Sequence, residues 1–390
     1  MSVRSIRPGV DRLTAEDWDR RLFDELIPLP DGTSYNAYLI RGSARTALID
    51  AVDPAKAGVL LSALDAVERV DDLVIQHVEQ DHSGTATAIV ERYPNVRVLS
   101  SSKAKPMIVD HLGVPADRIT TVEDRETISL GDRTLEFIYA PWVHWPETML
   151  TYLREERILF TCDLFGSHLA TSDLYATDRA RVYEAAKRYY AEIMMPFAGL
   201  IQKHLKRLDE LKVDVIAPSH GPAYDDPSFI VDAYRHWVND PPSNLVLIPY
   251  TSMHGSTVRM VDHLVTALGD RGVGVQPFNM TVTDVGQYAI RLVDAATVVF
   301  ATPTVLAGPH PSVVVAAYLT AALRPKLRYA TTIGSFGWAG KAPETLRSLF
   351  STLQVEWLDS VFTKGTPTTA TYRALDALAD EIEQRHKRLS

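Results

Sequence analysis

Sulfur ligands are almost missing from this sequence: Cys162 is the only cysteine in 390 residues. One cysteine cannot form a disulfide framework within the chain, a cysteine-based zinc ribbon or a cysteine-ligated iron–sulfur cluster. The chain has 12 histidines and 49 aspartates and glutamates, which are the remaining candidate metal ligands. The composition therefore favours nitrogen and oxygen over sulfur at any metal site.

Positive charge is also scarce, because 40 Lys and Arg against 49 Asp and Glu leave a net charge of −9. This balance argues against a nucleic-acid partner, which is bound largely by neutralising phosphates.

Long apolar runs are missing too. The longest candidate, 292–306, is interrupted by Asp294 and Pro303 and is too short to span a membrane. No apolar segment follows the basic residues near the N-terminus, so we expect no secretory signal, no membrane partner and a cytoplasmic chain.

The length of the chain predicts two domains. The clearest boundary is the segment 239–244, with the sequence N-D-P-P-S-N. Paired prolines cannot extend a helix or lie in a central strand, so this segment is predicted to be a linker. We therefore expect one domain at 1–240 and a second at 245–390.

After this boundary, short apolar runs alternate with helical patterns. Strands are predicted at 245–249, 273–277, 297–301, 327–333 and 355–358. Helices are predicted at 257–268, 285–293, 312–323, 343–352 and 371–385. Five buried strands that alternate with helices indicate an α/β domain with a doubly wound, five-stranded parallel sheet.

Before the boundary the pattern is mixed and indicates a layered α/β or α+β domain. Strands are predicted at 38–40, 46–49, 73–75, 97–100, 134–139, 149–153 and 158–161, and helices at 57–67 and 85–93. Tight turns such as 130–132 between several of these strands favour hairpins.

The densest group of candidate ligands follows the predicted strand 73–75. The sequence H-V-E-Q-D-H contains four of them: His77, Glu79, Asp81 and His82. A glycine turn and a helix come next. A polar strand-to-helix loop, with Asp81 or Ser83 capping the helix, would explain the same residues without a metal.

Three further polar side chains come directly after strand-like segments: His144, Asp163 and His220. A single histidine in such a place is more often an ordinary loop residue than a ligand. The loops of a layered α/β domain, however, converge on one face. Three such positions, added to the ligand-dense segment, therefore favour one shared metal site.

These seven residues resemble the metal-ligand series of the metallo-β-lactamase fold, whose hydrolases usually carry H-x-H-x-D-H in the first segment. In this chain Glu79 stands at the second histidine position. The exchange raises the carboxylate share of the site, which suits non-haem iron better than zinc. The resulting H-x-E-x-D-H form is similar to that of the flavodiiron proteins, also called A-type flavoproteins.

This resemblance implies an N-terminal metallo-β-lactamase-like αββα sandwich that holds a diiron centre. It implies the following ligands: His77, Glu79 and His144 on one iron, Asp81, His82 and His220 on the other, and Asp163 as the bridge. His82 is the ligand that some relatives displace from the metal.

Three loops of the second half contain small and hydroxyl-bearing residues at predicted strand ends. The first loop, 251–257, precedes a helix, whose N-terminal N–H groups and dipole favour a phosphate. The other two loops, 302–308 and 335–340, follow the third and fourth strands. Parallel α/β sheets bind their ligands at such carboxyl ends.

The arrangement looks like flavodoxin, which implies that the first loop binds the FMN phosphate and the other two flank the isoalloxazine ring. The second loop departs from the Tyr-Asn-Gly type of sequence common in relatives. The candidate flavin-binding residues are Thr251, Ser252, Met253, His254, Gly255, Ser256, Thr257, Thr302, Pro303, Thr304, Val305, Leu306, Ala307, Gly308, Ser335, Phe336, Gly337, Trp338, Ala339 and Gly340. Trp338 could instead be a buried core residue.

Several other residues are given no role or an open one. Strand alternation places the side chain of Cys162 opposite that of Asp163, so we expect it to serve packing. His168 could orient a metal ligand. The remaining histidines in helical or charged contexts are expected at the surface: His111, His204, His236, His263 and His386.

The resemblance to flavodiiron proteins implies an oxidoreductase that passes electrons from an external donor through FMN to a non-haem diiron site. It would reduce dioxygen to water, nitric oxide to nitrous oxide, or both. The implied donor is a rubredoxin, a flavin reductase or a reduced deazaflavin. The short Pro-Pro linker and the family resemblance favour a head-to-tail homodimer, or a dimer of such dimers, in which one chain's FMN faces the other chain's irons.

Two alternatives stay open at this point. One is a di-zinc hydrolase of the metallo-β-lactamase fold joined to a flavodoxin domain. The other is a flavodoxin-like electron carrier whose N-terminal domain binds no metal. The complete set of seven candidate ligands argues against the second alternative, because a degenerate site should have lost some of them.

Overall fold

The structure is a computed structural model that describes residues 2–338 and 340–389. The chain forms two compact units. The first unit runs to Tyr190 and includes Phe197–Val238, and the second comprises Ala191–Pro196 and the residues from Asn239 onward. Ala339, one of the predicted flavin-loop residues, lies outside the described residues.

The first unit contains two sheets. Its strands are β1 Ser2–Arg7, β2 Val10–Asp17, β3 Leu22–Phe23, β4 Ile27–Pro28, β5 Thr33–Arg41, β6 Thr46–Ile49, β7 Asp72–Val74, β8 Arg97–Ser101, β9 Ile119–Val122, β10 Thr127–Ser129, β11 Thr134–Tyr139, β12 Met149–Leu153, β13 Ile158–Cys162 and β14 Val215–Pro218. One sheet has the order β1-β2-β5-β6-β7-β8-β9, and the other has the order β10-β11-β12-β13-β14. The strands β3 and β4 form a separate small hairpin.

The helices of the first unit are α1 Ala57–Ala63, α2 Gln80–Ser83, α3 Ala86–Arg92, α4 Ala104–Leu112, α5 Arg179–Tyr189, α6 Ala198–Leu208 and α7 Pro227–Asn239. Successive residues of the central strands are buried on opposite faces. Leu73 packs in a cluster with Leu60 of α1 and Ile89 of α3. Val74 packs in a second cluster with Phe160 of the other sheet. The helices thus cover one face of the first sheet, and the two sheets pack face to face, as predicted for the metallo-β-lactamase-like domain.

Parallel pairing brings the candidate ligand loops of the first unit to one edge. The strands β6, β7 and β8 are parallel neighbours, and β13 and β14 are parallel as well. Cys162, the last residue of β13, pairs with Pro218, the last residue of β14. Within each sheet, the segments that follow these parallel strands therefore begin next to each other, at the same edge.

The second unit is a parallel sheet between helices. Its strands are β15 Ser243–Tyr250, β16 Gly274–Asn279, β17 Ala295–Val305, β18 Gly308–Pro309, β19 Tyr329–Phe336, β20 Glu356–Trp357 and β21 Val361–Lys364. Its helices are α8 Ser256–Asp270, α9 Val285–Leu292, α10 Pro311–Leu323, α11 Ala342–Ser348 and α12 Thr369–His386. The strand order is β16-β15-β17-β19-β20, and β21 also pairs with β19. This is the flavodoxin-like order, so the predicted doubly wound sheet is confirmed.

Two predicted details of this unit need correction. The predicted fifth strand at 355–358 occurs as the two-residue strand β20, and a further strand that was not predicted, β21, follows it; each is parallel to β19. The predicted loop 302–308 is mostly a hairpin, because β17 continues to Val305 and pairs with β18 through a turn at Leu306 and Ala307. Both turn residues have positive φ, +50° and +62°, as a tight two-residue hairpin requires.

The strands β1 and β2 at the start of the chain were not predicted. The sequence of β1, S-V-R-S-I-R, is half exposed and shows no sustained apolar alternation. No helix within the described residues has both the length and the apolar character needed to cross a membrane.

Candidate functional site

The segment after β7 forms a tight bend between a buried strand and the short helix α2. Asp50, the first residue after β6, accepts hydrogen bonds from the backbone N and the side-chain Nε2 of Gln76, both at 2.8 Å. The hydroxyl of Ser83 donates to the carbonyl oxygens of Val78 and Glu79 at 2.7 and 2.8 Å. These bonds hold the backbone from which the first candidate ligands extend.

Four of the predicted ligands form one cluster: His77, Glu79, His144 and Asp163. One ligand atom from each residue lies within 4.8 Å of the others. Oε2 of Glu79 is 3.2 Å from Nε2 of His77 and 3.0 Å from Nε2 of His144. Three separate segments of the chain therefore meet at one point.

The other three predicted ligands form a second cluster: Asp81, His82 and His220. Oδ2 of Asp81 is 3.0 Å from Nε2 of His220, and Oδ1 is 3.3 Å from Nε2 of His82. All three residues are buried. The turn that carries His220 depends on Gly221, whose φ is +76° and where a Cβ would lie 2.1 Å from Oγ of Ser167.

The carboxylate of Asp163 lies between the two clusters. Its Oδ2 is 3.5 Å from Nε2 of both His77 and His144. Its Oδ1 is 2.9 Å from Nε2 of His82 and 3.5 Å from Nε2 of His220. The two oxygens of one carboxylate thus face different clusters, which is the arrangement of a bridging ligand.

The buried polar atoms of this site fit a pair of metal ions. Both oxygens of Asp81 and Nε2 of His82 are buried without a hydrogen-bond partner. Ring nitrogens approach these oxygens to 3.0–3.3 Å, but without the alignment of a hydrogen bond. Such groups need another partner, and a cation supplies one. A donor set of imidazole nitrogens and carboxylate oxygens suits non-haem iron.

The electrostatics of the pocket show how strongly its carboxylates need positive charge. Burial alone would raise the pKa of Asp163, but His82 and His77 hold that pKa well below its usual range. Burial alone would lower the pKa of His82, but Asp163 and Asp81 outweigh it and raise the pKa to about 9. The pKa of Glu79 is likewise lowered, against the effect of burial, by His144 and His77.

Outer contacts orient several of the candidate ligands. Nδ1 of His220 donates to the carbonyl oxygen of Ser34 at 2.7 Å, so Nε2 is free to face the second cluster. The hydroxyl of Tyr189 donates to Oδ1 of Asp163 at 2.6 Å. Asp50 also accepts a hydrogen bond from the hydroxyl of Ser219 at 3.3 Å.

Sequence reasoning missed Asp50, Glu147 and Tyr189. Asp50 directly follows β6, so the strand-end argument used for Asp163 would have found it. Glu147 lies three residues after His144 and just before β12, where it accepts a hydrogen bond from Nδ1 of His77. Tyr189 is the last residue of α5, and no local pattern in the sequence predicts its contact.

The prediction for Cys162 was wrong in its geometry. Cys162 has a φ of +50°, so the alternation of β13 ends there and its Sγ lies 3.9 Å from Oδ2 of Asp163. Cys162 thus forms a third group of possible ligands with His82 and Asp163. Burial and the nearby carboxylates raise the pKa of the thiol well above its usual value, which favours the thiol over the thiolate form that binds metals.

Three other histidines differ from, or refine, what the sequence predicts. His204 and His386 are buried rather than at the surface. His168 is buried beside the second cluster, with its ring centroid 5.1 Å from that of His220. Its Nδ1 lies 3.0 Å from the hydroxyl of Thr33, and its Nε2 is buried without a hydrogen-bond partner.

The first flavin loop presents a free hydroxyl at a helix start. The hydroxyl of Thr257 is buried without a hydrogen-bond partner in the first turn of α8. Gly255 precedes this helix with a φ of +85°, which favours glycine there. An unpartnered hydroxyl beside the N–H groups of a helix N-terminus suits a phosphate oxygen.

The second and third flavin loops contact each other. The hydroxyl of Thr304 is buried without a hydrogen-bond partner. A Cβ at Gly340 would lie 2.7 Å from that hydroxyl, and the backbone N of Lys341 donates to the carbonyl of Ala307 at 3.1 Å. A cavity of about 220 Å³ opens here, lined in part by Phe336 and Thr304. Trp338 is 91% exposed, so it is not a core residue.

The three loops follow β15, β17 and β19, which are adjacent in the sheet. The carboxyl ends of these strands therefore bring the predicted flavin residues to one edge of the sheet. The buried, unpartnered hydroxyls of Thr257 and Thr304 fit a ligand that carries phosphate and ring oxygens. The fold and the two metal clusters define the class: a metallo-β-lactamase-like unit with a dinuclear site, followed by a flavodoxin-like unit.

Comparisons with known proteins agree with this class. Residues 33–221 match the family model "ODP family beta lactamase". The nitric oxide reductase of Moorella thermoacetica is 34% identical over 361 residues, 90% of each chain. The structure of rubredoxin oxygen:oxidoreductase from Desulfovibrio gigas matches with a TM-score of 0.95 and 30% identity over 99% of each chain. The flavodiiron protein of Giardia intestinalis matches with a TM-score of 0.90 and 26% identity over 99% of this chain and 97% of that one.

This chain belongs to the flavodiiron protein family. It is an oxidoreductase, and the predicted family and fold class are confirmed. Flavodiiron proteins carry FMN and a diiron centre, and the clusters described above provide residues that can hold metal ions. Neither the hydrolase nor the metal-free carrier is favoured.

Proposed function

We propose that the seven clustered residues hold two iron ions. His77, Glu79 and His144 bind one iron, and Asp81, His82 and His220 bind the other, with Asp163 shared between them. The position of Asp163, with one oxygen toward each cluster, carries this proposal. The irons, when bound, supply a binding template and electrons for a small oxidant. The protein's part is to orient them and to keep the site buried.

We also propose that FMN binds at the carboxyl edge of the second sheet. Thr257 and the start of α8 receive the phosphate, and the segments 302–308 and 335–340 flank the ring. The buried, unpartnered hydroxyls of Thr257 and Thr304 support this placement. FMN exchanges electrons one or two at a time and so links the donor to the metal site. In this proposal residues 1–240 are the metal domain and residues 245–390 are the flavin domain.

The proposed reaction is the reduction of dioxygen to water, of nitric oxide to nitrous oxide, or both. Dioxygen takes up four electrons and four protons to give two waters. Two nitric oxide molecules take up two electrons and two protons to give nitrous oxide and water. The Moorella relative is named a nitric oxide reductase and the Megalodesulfovibrio relative a rubredoxin-oxygen oxidoreductase, so both substrates belong in the assay.

The decisive experiment measures metal and flavin together. Protein purified without oxygen should contain about two irons and one FMN per chain, and reduced protein should consume dioxygen or nitric oxide. Stoichiometric zinc without iron, together with hydrolysis of ester or amide substrates, would overturn the proposal in favour of a hydrolase.

Glu79 offers a test of the donor set. Glu79→His restores the hydrolase-like H-x-H-x-D-H segment and should shift selectivity from iron toward zinc. FMN content should stay unchanged, because Glu79 lies in the other unit. Undiminished oxygen or nitric oxide reduction by an iron-loaded variant would show that Glu79 is not a ligand.

For partners, we propose an external electron donor and a head-to-tail homodimer. Each predicted flavin loop carries one exposed, large apolar side chain: Met253, Leu306 and Trp338. Trp142, two residues before His144, is also 46% exposed. Exposed apolar residues at functional loops favour a protein contact there. The relative named for rubredoxin supports a small one-electron carrier as donor.

Mixing two inactive variants tests the dimer. His144→Ala removes a metal ligand, and Ser256→Glu places a negative charge at the proposed phosphate site on a residue that is only half-buried. After dissociation and reassociation, mixed dimers should regain one working site each. Verified mixed dimers without activity would show that electrons pass within one chain.

A further inference from the structure

Glu147 is a fully buried carboxylate that lies behind the first metal cluster rather than in it. Its side chain has no exposed surface. Oε1 is 2.7 Å from Nδ1 of His77 and accepts a second hydrogen bond, of 3.0 Å, from the backbone N of Val78. Oε2 is buried and has no hydrogen-bond partner. A buried carboxylate with one oxygen left unsatisfied is costly, so it calls for an explanation.

The backbone holds Glu147 and His77 in register. The backbone N of Met149 donates to the carbonyl of Gln76, the residue before His77, at 2.9 Å. The hydroxyl of Ser101 donates to the carbonyl of Glu147 at 2.7 Å. These two hydrogen bonds thus fix the backbone of the segment that carries Glu147 next to the segment that carries His77.

This contact determines which nitrogen of His77 can bind a metal. Because Oε1 of Glu147 is an acceptor, Nδ1 of His77 carries the proton. Nε2 faces the first cluster, 3.2 Å from Oε2 of Glu79, and is the ring nitrogen left to bind a metal. A carboxylate behind a ligating imidazole also makes that imidazole a stronger donor.

His220 in the second cluster has a different outer contact. Nδ1 of His220 donates to the backbone carbonyl of Ser34, which is a neutral acceptor. His77 of the first cluster therefore has an anion behind its ring, and His220 of the second cluster has a neutral peptide oxygen. The two metal positions receive different electrostatic environments from otherwise similar ligands.

We propose that Glu147 is a positioning residue that makes the two metal positions unequal. It strengthens metal binding by His77 and stabilises the higher oxidation state of the iron at that position, relative to the iron held by His220. The inference rests on the proposed metal ligands. It adds that the position near His77 would bind iron more tightly and that the iron near His220 would be reduced first.

The test compares Glu147→Gln with Glu136→Gln. The first substitution keeps the shape of Glu147 and an acceptor oxygen but removes its charge. The second removes another buried carboxylate of the same unit, which pairs with Arg125 and Arg154 instead of a cluster residue. Iron binding is titrated into each metal-free protein, and ⁵⁷Fe Mössbauer spectra and potentiometric titrations are recorded on the loaded proteins.

Glu147→Gln should weaken iron binding at one of the two positions by roughly 10- to 100-fold, which is the usual effect of replacing a residue that hydrogen-bonds to a metal ligand. The midpoint potential of that iron should rise, and only one of the two Mössbauer signals should change. Glu136→Gln should leave all three measurements as in the wild type. Should the Gln variant fail to fold, Glu147→Asp, which keeps the charge but shortens the side chain, should shift the same signal in the same direction by less.

Equal weakening of both irons, or unchanged affinity, spectrum and potential in a folded variant, would overturn the inference. That result is distinguishable from failure of the proposed function. In the latter case the wild-type protein itself would not bind two irons.

Discussion

The hydroxyl of Tyr189 donates a 2.6 Å hydrogen bond to Oδ1 of Asp163, the oxygen that faces the second cluster. Tyr189 is the last residue of α5 and is fully buried. A helix outside the two sheets thus holds the carboxylate that the two metal clusters share. The contact holds Oδ1 of Asp163, while Oδ2 faces His77 and His144 of the first cluster.

Tyr189→Phe should destabilise the metal-free protein by about 1.5–3 kcal/mol, the usual cost of losing a hydrogen bond to a charged acceptor. Urea unfolding of the metal-free variant measures this. Tyr152→Phe is the matched control, because the Tyr152 hydroxyl donates to the neutral carbonyl of Lys212, so the loss there should be about 1 kcal/mol or less. Equal losses in the two variants would contradict a special role for the Asp163 contact.

Asp163→Asn should reduce the iron content to one ion or fewer per chain, because the shared carboxylate then loses its negative charge. Cys162→Ser should retain both irons, since Cys162 is not among the seven proposed ligands and serine is close to it in size. Elemental analysis of anaerobically loaded protein provides the measurement. Iron loss on Cys162→Ser equal to that on Asp163→Asn would mean that Cys162 is a ligand.

Thr257→Val should weaken FMN binding by roughly 10- to 100-fold, because it removes the buried, unpartnered hydroxyl at the proposed phosphate site. Riboflavin, which lacks the phosphate, should bind the variant and the wild type equally well. Thr320→Val is the control, because the Thr320 hydroxyl already bonds to Tyr288 and to the carbonyl of Ala316. Flavin fluorescence titrations measure both ligands, and a parallel loss of riboflavin affinity would place Thr257 away from the phosphate.

His386 should make the stability of the second unit depend on pH. Burial lowers the pKa of His386 to about 4, whereas the unfolded chain has a value near 6.5. The unfolded state therefore takes up a proton first, so stability is full above about pH 6.5 and falls as the pH drops toward 4. Below that pH the contribution levels off.

His386→Gln tests this pH dependence, because glutamine can still reach Thr297 and Asn244, the present partners of the ring. The variant should lose less stability between pH 6.5 and 4 than the wild type, as followed by thermal melting. His111→Gln is the control at an exposed histidine. Parallel pH profiles for wild type and His386→Gln would show that the drop has another origin.

Local chemistry made much of the candidate site predictable. Each of His77, Asp163 and His220 comes just after a buried strand, and parallel strands deliver such residues to one edge. The alternation of apolar runs and helices likewise predicted the second unit, because both faces of its sheet are buried. The polar strand β1 was not predicted, because its own sequence shows no apolar alternation and it is recognised as a strand only by its pairing with β2.

The sequence by itself thus determined the alternating strands and helices of the second unit and the positions of the seven candidate ligands, because these depend on residue types and spacing along one strand or turn. Only the tertiary structure shows that the ligands form the two clusters implied by the family resemblance, with Asp163 between them, and only it reveals the contacts of Glu147 and Tyr189. Those relationships join residues far apart in the chain, and their geometry depends on sheet pairing and helix packing. It also depends on single backbone angles, such as the positive φ that turns Cys162 toward Asp163.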